Sequence, residues 1–165
     1  MSVTFNDLKA KNKELNDRIW KLREKLQDEA ARFVREYCES LSVPGNNTWT
    51  DVQGNQRSYV QVGHLGQDGK FEAVNLARLQ LDDDYTLRFF VATTLDDSSQ
   101  YGGQLHCTPV ALSFDGYWLK AFLNGGSDDL EFNVSPKAGG YEQVCSALKA
   151  LILKGLDDAM PVMER

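Results

Sequence analysis

The chain has 165 residues, with 18 Lys and Arg against 24 Asp and Glu, for a formal net charge of −6. That length fits one domain with enough burial to fold without a metal or disulfides, and 42% hydrophobic with 25% charged residues excludes a disordered chain. An acidic surface repels nucleic-acid phosphates and anionic lipid headgroups and attracts a basic partner.

The charge is unevenly placed. Residues 1–40 carry nine bases and eight acids, whereas residues 41–165 carry nine bases and 16 acids. The acids of the second part are mostly Asp, clustered as Asp82-Asp83-Asp84, Asp96-Asp97, Asp128-Asp129 and Asp157-Asp158. The polar stretch Met1–Lys13 does not read as a secretory signal. No apolar run approaches the roughly 20 residues of a membrane span. Three widely spaced cysteines, Cys38, Cys107 and Cys145, form no C-x-x-C and fit a reducing cytoplasm.

In chain order, the first element is a helix over 5–41. Thr4 and Asp7 form a capping-box pattern, no Gly or Pro interrupts Phe5–Leu41, and Leu8, Leu15, Ile19, Leu22, Leu26, Ala30, Phe33, Val34, Tyr37 and Leu41 recur at helical spacing. Such a helix is roughly 55 Å long, against a body about 40 Å across. It therefore overhangs the body, bends, or packs on another chain, with Lys9–Arg18 as the overhang. Leu8, Leu15 and Leu22 repeat at seven, compatible with a coiled-coil seam and a homodimer. Trp20 lies off the main stripe and is a candidate partner anchor.

Residues 46–135 change to a period of two. Strands are expected over Ser58–Leu65, Lys70–Leu81, Tyr85–Leu95, Leu105–Phe114, Tyr117–Leu123 and Leu130–Val134, joined by turns at Asp68-Gly69, Asp82–Asp84, Asp115-Gly116 and Asn124–Gly126. The parity break between Leu76 and Leu79 points to a bulge or a doubly covered strand, and Pro109 to an edge or a bulge. Helical spacing returns over 141–154, followed by an acidic tail, 156–165. The expected fold is α+β: an antiparallel meander of about six strands flanked by a long N-terminal helix and a C-terminal helix.

No motif identifies a reaction. G-x-S-x-G, P-loop and dinucleotide-binding glycine patterns are absent, and two histidines cannot build a His-rich metal site. The cysteines are expected as packing residues, with a His64–Cys107 pair as a remote alternative. The expectation is a non-enzymatic protein with no cofactor and no metal. On the second face of the sheet, Arg88, Phe90, Trp118, Lys120 and Phe122 form an aromatic and basic set that could stack single-stranded nucleic acid. Two helices can cover both faces of one sheet, so that face is expected to be covered.

The Asp clusters sit at turns, where Asp is common for backbone reasons. As a partner surface they comprise Asp82, Asp83, Asp84, Asp96, Asp97, Asp128 and Asp129. In size, acidity and lack of catalytic motifs, with these clusters, the chain resembles bacterial immunity proteins such as those of contact-dependent inhibition systems. The resemblance implies a cytoplasmic protein that blocks a basic toxin domain, for instance a nuclease, through complementary charge. An acidic, dimeric secretion chaperone is the alternative, although such chaperones interrupt their strands with a helix; a nucleic-acid-binding sheet is the third.

Overall fold

The N-terminal helix begins where its cap residues place it. In the computed structural model, which describes residues 2–44, 46–98, 102–123 and 129–163, α1 spans Phe5–Leu41. The Thr4 hydroxyl accepts from the Asp7 amide at 3.2 Å and the Asp7 carboxylate accepts from the Thr4 amide at 3.0 Å. Two of the helix's orphan donors are thus satisfied. Ser42, in the left-handed conformation at φ 52°, ends it.

Eight strands follow among the described residues: β1 (Thr48–Thr50), β2 (Gln56–Ser58), β3 (Val60–Leu65), β4 (Phe71–Ala73), β5 (Leu87–Thr94), β6 (Leu105–Asp115), β7 (Trp118–Leu123) and β8 (Leu130–Val134). The last element is α2, Glu142–Ala159. β1 and β2 form a separate hairpin, and the other six make an antiparallel sheet in the order β4-β3-β5-β6-β7-β8. The fold is α+β, a six-stranded antiparallel sheet with a long N-terminal and a C-terminal helix.

Three local expectations change. Residues 70–81 are not one strand: after β4 the chain leaves the sheet in a 3-10 turn, Leu76–Arg78. Leu76 and Leu79 are three apart, the spacing of such a turn, and the Asn75 side chain caps it by accepting from the Ala77 amide. Leu79 becomes fully buried under α1, while Gln27 of α1 donates to the Leu79 and Ala77 carbonyls. The second change is at the C-terminus, where α2 runs through Gly155 to Ala159, so Asp157 and Asp158 are helical rather than in a tail. The third concerns Pro109, which lies in the interior strand β6. It pairs with Phe90 of β5 in an unbroken register, in a strand that lies between β5 and β7, so it stands neither at an edge nor at a bulge.

Both helices pack on the same face of the sheet. Leu26, Ala30, Phe33 and Tyr37 of α1 and Val144, Cys145 and Leu148 of α2 are buried with Val60, Val62, Leu87, Phe89, Val91, Val110, Leu112, Leu119, Ala121, Leu123 and Val134. The Tyr37 hydroxyl meets the Thr93 hydroxyl at 2.9 Å inside this layer. Arg32 fixes the helices to each other's approach: it bonds Glu29 and Glu36 on α1 and the Ser135 and Lys137 carbonyls ahead of α2. The Tyr141 hydroxyl donates to Glu29 at 2.8 Å. Gly140 permits this closeness, since a Cβ there would stand 2.0 Å from the Ser135 oxygen.

Candidate functional site

With α1 and α2 on one side, neither helix covers the opposite face of the sheet, so the expectation that a helix covers Arg88, Phe90, Trp118, Lys120 and Phe122 is overturned. The physical reason is the core stripe on each helix. α1 and α2 contact one another through Phe33 and Tyr141, whose ring centroids are 5.2 Å apart, and this pairing brings both stripes to one layer.

The pairing register sets the rows of the bare face. Arg88 lies beside Ala111, then Phe122, then Glu131; Phe90 lies beside Pro109; Ser113 lies beside Lys120 and then Asn133. Alternation puts these side chains together away from the core. A concavity of about 750 Å³ is lined by Arg88, Phe90, Pro109, Ala111, Phe122 and Asp129, among others. Trp118, one row beyond Lys120, is 66% exposed. The centre is thus apolar and aromatic, and the rim is charged.

That rim is internally paired. Arg88 Nε lies 2.8 Å from Asp82 Oδ2, and Lys120 Nζ lies 2.7 Å from Glu131 and 3.5 Å from Asp115. Glu131, and less strongly Asp115, raise the Lys120 pKa. Among the described residues two cations therefore face four carboxylates, Asp82, Asp115, Asp129 and Glu131, on this face and its edge. A nucleic-acid platform needs cations directed at phosphates, and here both are engaged by acids.

The Asp clusters separate into loop-builders and free acids. Asp82 is partly buried; burial raises its carboxyl pKa, but Arg88 and the Thr86 and Asp84 amides outweigh that and hold it below the usual range. Its Oδ1 accepts from both amides at 2.9 Å. The same device occurs at Asp51, whose Oδ1 accepts from the Gln53 and Asn55 amides at 2.9 Å and whose Oδ2 binds Arg57 Nε. In both loops an Arg stands six residues after the Asp, and the fourth residue has positive φ: Gly54 at 83° and Tyr85 at 58°. The sequence carried this signal as Asp51…Arg57 and Asp82…Arg88, but its meaning depends on the closed loop.

Asp83 and Asp84 are exposed beside that loop. Asp96 accepts from the Ser98 amide, and Asp97 accepts from the Tyr59 hydroxyl. These two pairs stand at opposite ends of β5, roughly 26 Å apart along an eight-residue strand, so they do not make one patch. Asp129 is exposed at the concavity, and Asp128 lies outside the described residues. Trp20 is 56% exposed at the root of the α1 overhang, its Nε1 donating to Glu24 and its ring stacked under the Arg23 guanidinium at 3.9 Å.

The cysteines divide as well. Cys145 is buried, with its thiol pushed up to about 11 by burial and then by Glu36. Cys38 is half-buried, whereas Cys107 is exposed, which corrects its reading as a packing residue. Cys107 aligns with Ala92 and Gln61 across the sheet, and His64 is three residues farther along β3. That separation is roughly 14 Å, too far for a thiolate–imidazole pair. Among the described residues no three His, Cys, Asp or Glu side chains are grouped to hold a metal ion, and no helix is long and apolar enough to cross a membrane.

No family model, curated protein or solved structure matches this chain.

Proposed function

We propose that this protein is a non-enzymatic binding protein of the cytoplasm that neutralises a basic protein partner, as an immunity protein blocks a toxin. The observation that carries this reading is the bare sheet face. It combines exposed or half-exposed aromatic groups, Phe90, Phe122 and Trp118, with a carboxylate excess around Arg88 and Lys120. Aromatic anchors ringed by charge are the composition of protein interfaces. The excess of acid steers a cationic surface and accelerates its docking. Asp83, Asp84 and Asp129 lie at the margin of this face and extend the attraction.

The test is capture from the native host with the full chain as bait, followed by binding measured at two salt concentrations. A basic protein partner is expected, with on-rate falling as salt rises. Phe122→Ala is expected to weaken binding at least tenfold, and Asp83→Asn with Asp84→Asn to slow association. Recovery of no basic protein, or unchanged affinity in Phe122→Ala, overturns the reading. Retention of the chain on single-stranded RNA at physiological salt instead favours the nucleic-acid face.

A further inference from the structure

The free half of α1 is a second surface with the opposite charge preference. From Ser2 to Lys21 every side chain is exposed except Glu14 and Ile19, which are half-buried. The apolar stripe nevertheless continues through this stretch. Phe5, Leu8, Asn12, Leu15, Ile19, Leu22 and Leu26 alternate steps of three and four, the a and d positions of a heptad with Phe5 as the first a. Leu26 is fully buried on the body and Leu22 partly so, while Phe5 is 76%, Leu8 62% and Leu15 49% exposed. One seam is therefore closed by the sheet at its C-terminal end and open over the roughly 22 Å from Phe5 to Ile19.

The flanks of the seam decide what closes the open part. With Phe5 at a, the e positions are Lys9, Asn16 and Arg23, and the g positions are Lys11, Arg18, Lys25 and Arg32. No acid stands at any of them. Between Phe5 and Asp28 the acids fall on the back of the helix, Asp7, Glu14 and Asp28 at c and Asp17 and Glu24 at f; Glu29, at d, lies in the packed half and binds Arg32 and Tyr141. Arg23, Lys25 and Arg32 are occupied by the body: Arg23 with Gln80, Lys25 over the Phe114 ring at 4.6 Å, and Arg32 with the loop ahead of α2. Lys9, Lys11 and Arg18 flank the open part. Lys11 and Arg18 reach back to Glu14 in exposed pairs, 81% and 78% exposed on the basic side, which are weak and readily exchanged.

A second copy of this chain is a poor occupant. Parallel pairing sets g against e and antiparallel pairing sets g against g and e against e, so in either direction bases meet bases. A membrane surface suits a broad apolar face, whereas this stripe is only two positions in seven wide and contains Asn12. A single Asn at an a position is instead a device that fixes coiled-coil register. We propose that the free half of α1 pairs with an amphipathic helix of a different protein whose e and g positions are acidic. This half of the helix is propagated from the packed half, so this side pays little ordering entropy on binding. The surface is independent of the sheet face.

The test uses the full chain and two labelled synthetic helices of about three heptads with Leu at a and d and one Asn at a, differing only in Glu or Lys at all e and g positions. Binding is read by fluorescence anisotropy. The Glu helix is expected to bind at least tenfold more tightly than the Lys helix, and more weakly as salt rises. Leu8→Glu with Leu15→Glu is expected to abolish the binding, and Lys9→Glu with Lys11→Glu and Arg18→Glu to reverse the preference. Phe122→Ala is expected to leave it unchanged, which separates this result from the fate of the sheet face. Equal binding of both helices, or binding of neither, overturns the proposal. So does a dimer by light scattering that Leu15→Glu dissociates, or tighter binding to phosphatidylserine vesicles than to the Glu helix.

Discussion

The two halves of α1 share a period and a residue vocabulary and have opposite fates. Between Leu22 and Leu41 the stripe is sealed by the sheet and α2, with Leu26, Ala30, Phe33 and Tyr37 at 0% exposure. Between Phe5 and Leu15 the same stripe faces solvent, and Ile19 is half-buried. The difference is not written in hydrophobicity, because Leu8 and Leu15 are as apolar as Leu22 and Leu26. It follows from reach. The sheet extends under only part of a helix 37 residues long. The packed half is accordingly a stability element, and the free half contributes helix without core.

The widest gap between the halves is expected from truncating their apolar residues. Phe33→Ala is expected to cost about 3–5 kcal/mol by leaving a cavity against Tyr37 and Tyr141. Chemical denaturation measures it, and a cost below about 1 kcal/mol erases the contrast. Next comes the polar contact inside the packed half. Tyr37→Phe removes the partner of the buried Thr93 hydroxyl and is expected to cost about 1–2 kcal/mol. Adding Thr93→Val is expected to recover most of that loss, because no buried hydroxyl is then left unpaired.

A smaller and pH-dependent effect is expected where neither half is involved. Arg57 first, then the Asn55 and Gln53 amides, hold the Asp51 carboxyl below its ordinary range. A group depressed in the folded state stabilises above its unfolded pKa, about 4 for Asp, and loses that contribution as pH falls through the folded value. Asp51→Asn is therefore expected to lower the thermal midpoint at neutral pH. Its difference from the parent chain should shrink below about pH 4. A gap unchanged between pH 7 and pH 3 contradicts the loop role of this carboxylate. The smallest effect belongs to the free half. Leu8→Ala and Leu15→Ala are expected to change stability by less than about 0.5 kcal/mol. A larger loss in the isolated chain reveals a contact on that seam.

Local rules made much of the fold legible. The capping box at Thr4 and Asp7, the unbroken period to Leu41, the Asp115-Gly116 hairpin and the alternation in β5, β7 and β8 each specify their element within a few residues. Legibility failed where a residue's meaning came from distant partners. Leu76 and Leu79 read as a strand defect, although they form the turn that slips Leu79 under α1. Thr48–Thr50 and Gln56–Ser58 are too short to announce a hairpin, and that hairpin is closed by the Asp51 carboxylate. At the candidate site, alternation correctly grouped Arg88 and Phe90 on one face, and Trp118, Lys120 and Phe122 on one face. Counting two helices against two faces wrongly covered them, because helix stripes say nothing about which layer they join. The free acids Asp83, Asp84 and Asp129 were visible as charges, but Asp82 could not be told from them until its loop closed around it.

The sequence by itself determined α1, the strands β3 and β5 to β8, the existence of a C-terminal helix, their order and the sorting of charge around α1, since these depend on neighbours within a turn or two of chain. The tertiary structure alone decided that both helices share one face and that the sheet ends beneath the middle of α1. Those outcomes depend on contacts such as Phe33 with Tyr141 and Arg32 with Ser135, about a hundred residues apart. An acidic total of −6 thereby resolves into two surfaces: a bare aromatic face rimmed by carboxylates and an open seam flanked by lysine and arginine. Local periodicity can announce that a stripe exists, and only packing settles what is left to meet it.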